Sequence, residues 1–96
     1  MADKTNALLI HSGDSVVTLM EGVQKNESVS WLDKDKINSL TALEDVQKYH
    51  KIAICDIKKG SQVTKYGENI GTALSDIQKG AWVHTHNLSD IPEEVK

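Results

Sequence analysis

The sequence contains no arginine, and all eleven of its positively charged side chains are lysines. Arginine is the side chain that reads guanine edges and clamps phosphates with paired hydrogen bonds, because its guanidinium is planar. The fourteen acidic residues give a formal net charge of −3, so no basic patch compensates for that lack. We therefore expect no nucleic acid partner.

Cysteine is equally scarce, since Cys55 is the single thiol among the 96 residues. One thiol cannot form an internal disulfide or hold an iron–sulfur cluster, so any such cluster would belong to a partner. Cys55 ends an apolar stretch, residues 52–55, and is predicted to be a small buried side chain rather than a nucleophile.

Long hydrophobic runs are also missing from the amino-terminal part of the sequence. The apolar run at residues 7–10 is too short for the hydrophobic region of a signal peptide or for a membrane span. We expect a cytoplasmic protein without a membrane partner.

No long stretch has the period of a helix, and the apolar residues instead form short β-branched runs. Residues 7–11 and 15–20 predict a hairpin across a Ser-Gly-Asp turn, and residues 27–32 alternate as a half-buried strand does. Residues 37–43 predict a further strand or a short turn, and residues 44–48 one helical turn. The length allows one small domain, which we predict to be mainly β.

A phrase of the form Asp-Ile-x-Lys-Gly occurs at residues 56–60 and 76–80, with looser copies at 22–26 and 45–49. In each copy we expect the Ile or Val to point inward and the Lys to remain in water. The last residue, Gly or Asn in three copies, suits a positive φ before the next strand. Four such turns at irregular spacing predict a compact domain of bent hairpins, with at most short helical turns.

The second half of the sequence resembles a known family. The residues that carry the resemblance are His50-Lys51-x-Ala53-x-x-Asp56-Ile57-x-x-Gly60-x-x-Val63-x-Lys65-Tyr66-Gly67-x-x-Ile70-Gly71-x-Ala73 and Asp76-Ile77-x-x-Gly80-x-x-Val83-His84-x-His86-Asn87. They resemble the amino-terminal SAF (β-clip) domain of altronate-type sugar-acid dehydratases, and they are similar to the small subunit of sulfolactate sulfo-lyase. Tyr49 departs from the family pattern, which has glycine before His-Lys. The resemblance implies one β-clip domain over residues 7–88, between a flexible segment, 1–6, and a tail, 89–96.

His84 and His86 are the first candidates for a functional site. Residues two apart on an extended strand point to one face, so both imidazoles would reach a single metal ion or anion. An exposed strand end is the alternative interpretation. We predict that both histidines bind a metal and face the same side of the last strand, close to His50 or Lys65. Asn87 beside them is a candidate substrate ligand.

The hairpin at residues 65–71 and His50 supply the other candidates. Lys65 and Tyr66 can offer an ammonium and a phenol to a carboxylate. We assign a catalytic role to His50 and Lys65, and a substrate-binding role to Tyr66 and Gly67. A purely structural hairpin and a structural histidine remain the alternatives. Gly67 is predicted to have a positive φ at the bend.

The family resemblance implies the chemistry, which is dehydration of a small hydroxy acid such as altronate to a 2-keto-3-deoxy acid. Removing a proton next to a carboxylate needs a base and an electrophile, usually a divalent cation, here iron or manganese. The chain is then expected to share its metal with a large catalytic subunit and to be inactive alone. Sulfolactate sulfo-lyase is the alternative enzyme, and a non-catalytic SAF module that binds carbohydrate or a surface is the alternative of a different class.

Overall fold

A computed structural model describes residues 5–65 and 67–89, which form strands and turns without a helix. The strands are β1 (Ala7–Leu8), β2 (Val16–Leu19), β3 (Ser28–Asp33), β4 (Lys36–Thr41), β5 (Lys51–Ala53), β6 (Gln62–Lys65), β7 (Glu68–Ala73), β8 (Trp82–Val83) and β9 (Leu88–Ser89). The prediction of a mainly β domain is confirmed. The helical turn predicted at residues 44–48 is wrong, because Val46 there forms an antiparallel bridge to Val23. In the described ranges no helix is long and apolar enough to cross a membrane.

The strands form three antiparallel sheets, in the orders β1-β2-β5-β8, β3-β4 and β6-β7-β9. The predicted hairpin between residues 7 and 20 is present, with Ala7 opposite Leu19. The strand predicted to begin near residue 37 pairs with β3 along its whole length. Hydrophobic side chains from the sheets form two buried clusters, one around Leu19 and Ile52 and one around Val63 and Val83.

The four copies of the repeated phrase all form turns of one shape. Their last residues, Asn26, Tyr49, Gly60 and Gly80, have φ values of 77°, 71°, 87° and 95°. The left-handed conformation predicted for Gly and Asn is confirmed, and Tyr49 adopts it as well. The repeated phrase therefore predicts the same backbone conformation in all four copies, including the copy that ends in Tyr49, a residue that rarely adopts a positive φ.

These turns associate in two pairs, the first formed by residues 22–26 and 45–49 and the second by residues 56–60 and 76–80. In the second pair, the main chains of Ile57 and Ile77 exchange two hydrogen bonds of 2.7 Å. The main-chain N–H groups of Lys59 and Lys79 donate to the Asp that opens the opposite turn, at 2.8 and 2.9 Å. The aspartates of the phrase thus satisfy main-chain donors that a turn would otherwise leave to solvent.

Both ends of the described chain take part in the fold. The side chain of Asn6 accepts from the N–H of Ser30 at 2.8 Å and donates to the carbonyl of Ser28 at 3.0 Å. At the other end Ser89 lies in β9, and a Cβ on Gly71 would meet its carbonyl oxygen. The ordered contacts therefore include Asn6 and Ser89, just outside the predicted limits of 7–88.

Cys55 corrects another expectation, because its side chain is exposed rather than buried. The apolar stretch ends one residue earlier, where the chain leaves β5 for the turn that starts at Asp56. Desolvation, followed by the Asp56 carboxylate, raises the pKa of the Cys55 thiol. A raised pKa disfavours the thiolate, so the expectation that Cys55 is not an activated nucleophile agrees with its surroundings.

Candidate functional site

The candidate site is built where β5 and β8 pair. Ile52 lies opposite Trp82, and Lys51 lies opposite Val83, whose side chain is fully buried. Because alternate residues of a strand face opposite sides, the burial of Val83 turns Trp82 away from that cluster. Trp82 packs instead beside His50, the residue before β5, and its indole N–H donates to Nδ1 of His50 at 3.1 Å.

Trp82 also contacts the other two histidines of the carboxyl-terminal segment. Its ring stacks on His84 with the centroids 5.3 Å apart and the planes 10° apart, and it meets His86 at 4.9 Å. The ring of His84 lies 5.1 Å from that of His50. These four residues, His50, Trp82, His84 and His86, are the Trp82 cluster. The predicted closeness of His84 to His50 is present.

The prediction that His84 and His86 lie on a strand is wrong, because β8 ends at Val83 and residues 84–87 form a turn. Asn87 closes this turn. Its side-chain oxygen accepts the N–H of His84 at 3.0 Å, and its amide donates to the carbonyl of Trp82 at 2.9 Å. Asn87 is buried, and both its polar side-chain atoms are engaged within the turn. In this arrangement Asn87 positions His84, and its predicted contact with substrate remains a prediction.

Charged groups of both signs lie near the cluster, and the Glu44 carboxylate accepts the main-chain N–H of Trp82 at 2.9 Å. The pKa of His84 is lowered by desolvation first and then by the neighbouring charges of His50, Lys51 and His86. Burial lowers the pKa of Lys51 too, and the ammonium of Lys65 lowers it further. The ammonium groups of Lys51 and Lys65 favour an anion near these rings, and a carboxylate is the simplest organic one.

Lys51 and Trp82 were not among the predicted site residues. The signals for both were present: Lys51 directly follows His50, and Trp82 shares the strand parity of His84. A tryptophan and a lysine in short β segments are more often packing and solvated residues, so the sequence alone could not select them.

The β6–β7 hairpin holds the remaining candidates. Gly67 has a φ of 75°, which confirms the predicted positive angle. Its N–H donates at 2.9 Å to the carboxylate of the buried Asp14, which also accepts the N–H of His11 at 3.1 Å. Asp14 thereby joins the bend to the turn after β1. Lys65 ends β6 opposite Glu68, and Tyr66 lies outside the described residues.

The sequence profile of the family described as the altronate/galactarate dehydratase SAF domain matches residues 5–91. The chain belongs to this SAF domain family. The profile covers every strand of the fold and every residue of the Trp82 cluster, so the resemblance first noted in the second half extends to the whole domain.

Relatives of this SAF domain include altronate dehydratase of Escherichia coli (strain K12), which is 40% identical over 88 residues. That match covers 88% of this chain and 17% of the relative. The (2R)-sulfolactate sulfo-lyase subunit alpha of Paracoccus pantotrophus is 46% identical over 48 residues, 50% of this chain and 72% of the relative. The chain thus spans about a sixth of the length of the altronate dehydratases that it matches.

The described part of the SAF domain does not assemble a metal site by itself. Within residues 5–65 and 67–89, no group of three or more His, Cys, Asp or Glu side chains is placed to hold a metal ion. In these ranges the rings of His84 and His86 make no hydrogen bond, whereas Nδ1 of His50 is engaged by Trp82. Two available imidazoles are compatible with a shared divalent ion whose other ligands come from a partner.

Proposed function

We propose that this SAF domain supplies one wall of the active site of an altronate-type sugar-acid dehydratase. The observation that carries the proposal is the Trp82 cluster, in which three imidazoles surround one indole beside Lys51. A protein that only binds a surface has no need to gather three titratable rings in this way. The proposed reaction removes water from a 2,3-dihydroxy acid and yields a 2-keto-3-deoxy acid.

The lysine and histidine side chains of the site have separate proposed roles in binding and catalysis. Lys51 attracts the substrate carboxylate. Its pKa is lowered first by burial and then by the ammonium of Lys65, and a bound anion would offset both effects. Lys65 and His50 are the proposed catalytic residues, as predicted from the sequence. The reaction withdraws a proton next to the carboxylate, so groups that hold the developing negative charge accelerate it.

A divalent cation, iron or manganese, is proposed to be held by His84 and His86. Neither ring makes a hydrogen bond within the described residues, and the lowered pKa of His84 favours its neutral form, which can bind a metal ion. When bound, the ion would stabilise negative charge on the carboxylate side of the substrate. The remaining ligands are assigned to a partner, because two imidazoles do not complete a coordination shell.

The proposed partner is a large catalytic subunit, and the complex is proposed to work in the cytoplasm. The support for a subunit arrangement is that the altronate dehydratases are about six times longer than the matched region, and that another relative is named as a subunit of a sulfo-lyase. Sulfolactate sulfo-lyase is the second candidate function, favoured by the 46% identity to that subunit.

Affinity purification from the native cell, followed by assays on altronate, galactarate and sulfolactate, tests the proposal. A large subunit should be recovered, and the complex should turn over a sugar acid, while the chain alone should not. Replacement of both His84 and His86 by alanine should abolish turnover and metal content without unfolding the chain. Thr85→Ala, in the same turn, is the matched control and should retain both.

Each result discriminates among the candidates. Turnover of sulfolactate alone would replace the dehydratase by the sulfo-lyase. Recovery of the chain without a large subunit would favour a non-catalytic module. Near wild-type turnover and metal content in the double variant would refute the metal role of His84 and His86.

A further inference from the structure

We infer that Trp82 is a positioning residue that sets the tautomer of His50, so that His50 works as a neutral hydrogen-bond donor through Nε2. Trp82 contacts all three histidines of the cluster, and its indole N–H donates to one of them, His50, at 3.1 Å. That bond separates the chemical role of His50 from those of His84 and His86.

The tautomer follows from the donor inventory of the two side chains. An indole N–H can donate but cannot accept. Nδ1 of His50 must therefore offer its lone pair to Trp82, and in the neutral ring the single proton then lies on Nε2. The indole thus selects one of the two neutral forms of His50.

The main chain and the neighbouring rings hold His50 in this orientation. Its carbonyl accepts the N–H of Leu19 at 2.9 Å, and its own N–H donates to the carbonyl of Gln47 at 3.1 Å. The ring contacts both Trp82, at 5.6 Å, and His84, at 5.1 Å, which stack on each other. The main chain of His50 and its Nδ1 atom are therefore held, while within the described residues Nε2 makes no hydrogen bond and is left for a ligand.

The three imidazoles of the site would therefore have two roles. His50 would donate a hydrogen bond, whereas His84 and His86 would offer lone pairs to a metal ion. With a proton on Nε2, His50 can donate to an oxygen of a carboxylate or of the enediolate that forms from it, but Nε2 cannot bind a metal ion. A neutral imidazole that polarises an oxygen is an established way to stabilise such charge. The identity of the substrate oxygen rests on the proposed function, whereas the tautomer depends only on the contact with Trp82.

Two-bond 1H–15N correlation spectra of the whole chain at mildly alkaline pH test the tautomer. We expect a pyrrole-type shift at Nε2 and a pyridine-type shift at Nδ1 of His50. Trp82→Phe keeps an aromatic ring but removes the donor, so both shifts should move toward an average. Trp31→Phe changes the second tryptophan, which is buried in the core cluster around Leu19 and Ile52, and it should leave both shifts unchanged. A protonated Nδ1 in the wild-type chain, or unchanged shifts in Trp82→Phe, would overturn the inference.

A second experiment measures the use of the donor in the complex with the large subunit. Glutamine can place its amide N–H near the position of Nε2, whereas asparagine mimics Nδ1. His50→Gln should therefore retain a kcat/KM about tenfold or more above that of His50→Asn. The opposite order would contradict the donor role. If the wild-type complex shows no activity on hydroxy acids, the proposed function fails, and the spectra still decide the tautomer.

Discussion

The main-chain N–H of Lys25 donates to the carboxylate of Asp45 at 2.8 Å, and the symmetric bond from Lys48 is missing because residue 22 is glycine. In the second pair of turns both bonds are present. A Cβ on Gly22 would lie 3.5 Å from the nitrogen of Lys48, in ordinary contact, and its φ is outside the left-handed region. The first pair therefore has room for the side chain that it lacks.

Gly22→Asp should stabilise the fold by about 1 kcal/mol, because the new carboxylate can accept the N–H of Lys48. Chemical denaturation measures the change in the free energy of unfolding. Gly22→Ala is the matched control, since it restricts the unfolded chain in a similar way without adding an acceptor. Equal stability of the two variants would show that the bond does not form.

Gly67→Val should destabilise the chain by about 1 to 3 kcal/mol. The φ of 75° is unfavourable for a β-branched residue, and a Cβ would lie 3.2 Å from the ring of His11. Gly13→Val is the comparison, because Gly13 has a φ of 97° but no atom within 4 Å of a Cβ. Thermal denaturation should show the larger loss for Gly67. An unchanged melting temperature for Gly67→Val would show that the positive φ at residue 67 does not require glycine.

Tyr49→Gly should raise the free energy of unfolding by about 0.5 to 1 kcal/mol. A left-handed residue other than glycine costs about 1 to 3 kcal/mol, and the greater freedom of glycine in the unfolded chain offsets part of that gain. Tyr49 is 64% exposed, so few packing contacts are lost, although the ammonium of Lys48 lies 4.9 Å from the ring centroid. Tyr49→Ala removes the ring but keeps the strained angle, and it should not stabilise. A gain of the same size in Tyr49→Ala would assign the effect to the ring.

The lowered pKa of His84 predicts a loss of stability in acid. Its folded pKa lies below the ordinary 6.5, so stability is fully present above 6.5 and declines as the pH falls through the folded value. His84→Gln should therefore lose less stability than wild type between about pH 8 and about pH 5. Denaturation curves at both pH values measure this difference, and an equal loss in both proteins would contradict it.

Lys51 is one cause of that lowered pKa, so Lys51→Gln should raise the pKa of His84 in an NMR titration. Lys58→Gln removes an equal charge from a turn that is not among the causes. It should leave the His84 pKa where it is.

The mainly β fold could be predicted because its signals are local. Gly60 and Gly80 mark left-handed turns, and the alternation around Val29 marks a half-buried strand. Pairing between distant segments has no such signal. Val46 pairs with Val23 instead of forming the helical turn expected at residues 44–48. This pairing could not be predicted from the local sequence, because the two residues are far apart in the chain.

The site could be predicted only in part for the same reason. The sequence places His84 near His86, and the turn closed by Asn87 brings both rings to Trp82 even though the predicted strand is absent. The approach of His50 and Lys51 depends on the pairing of β5 with β8, which joins segments about thirty residues apart. Their contribution is a property of the tertiary structure.

Asn87 holds residues 84–87 through three hydrogen bonds, two from its side chain and one from its main-chain N–H to the carbonyl of His84. The entropy of ordering this turn is therefore lost when the chain folds, rather than when a ligand binds. A ligand of the proposed site would then meet a turn that already has its main-chain conformation, and its affinity would not be reduced by the cost of arranging that turn. A substitution that removes the side-chain hydrogen bonds of Asn87 would therefore be expected to weaken ligand binding at His84.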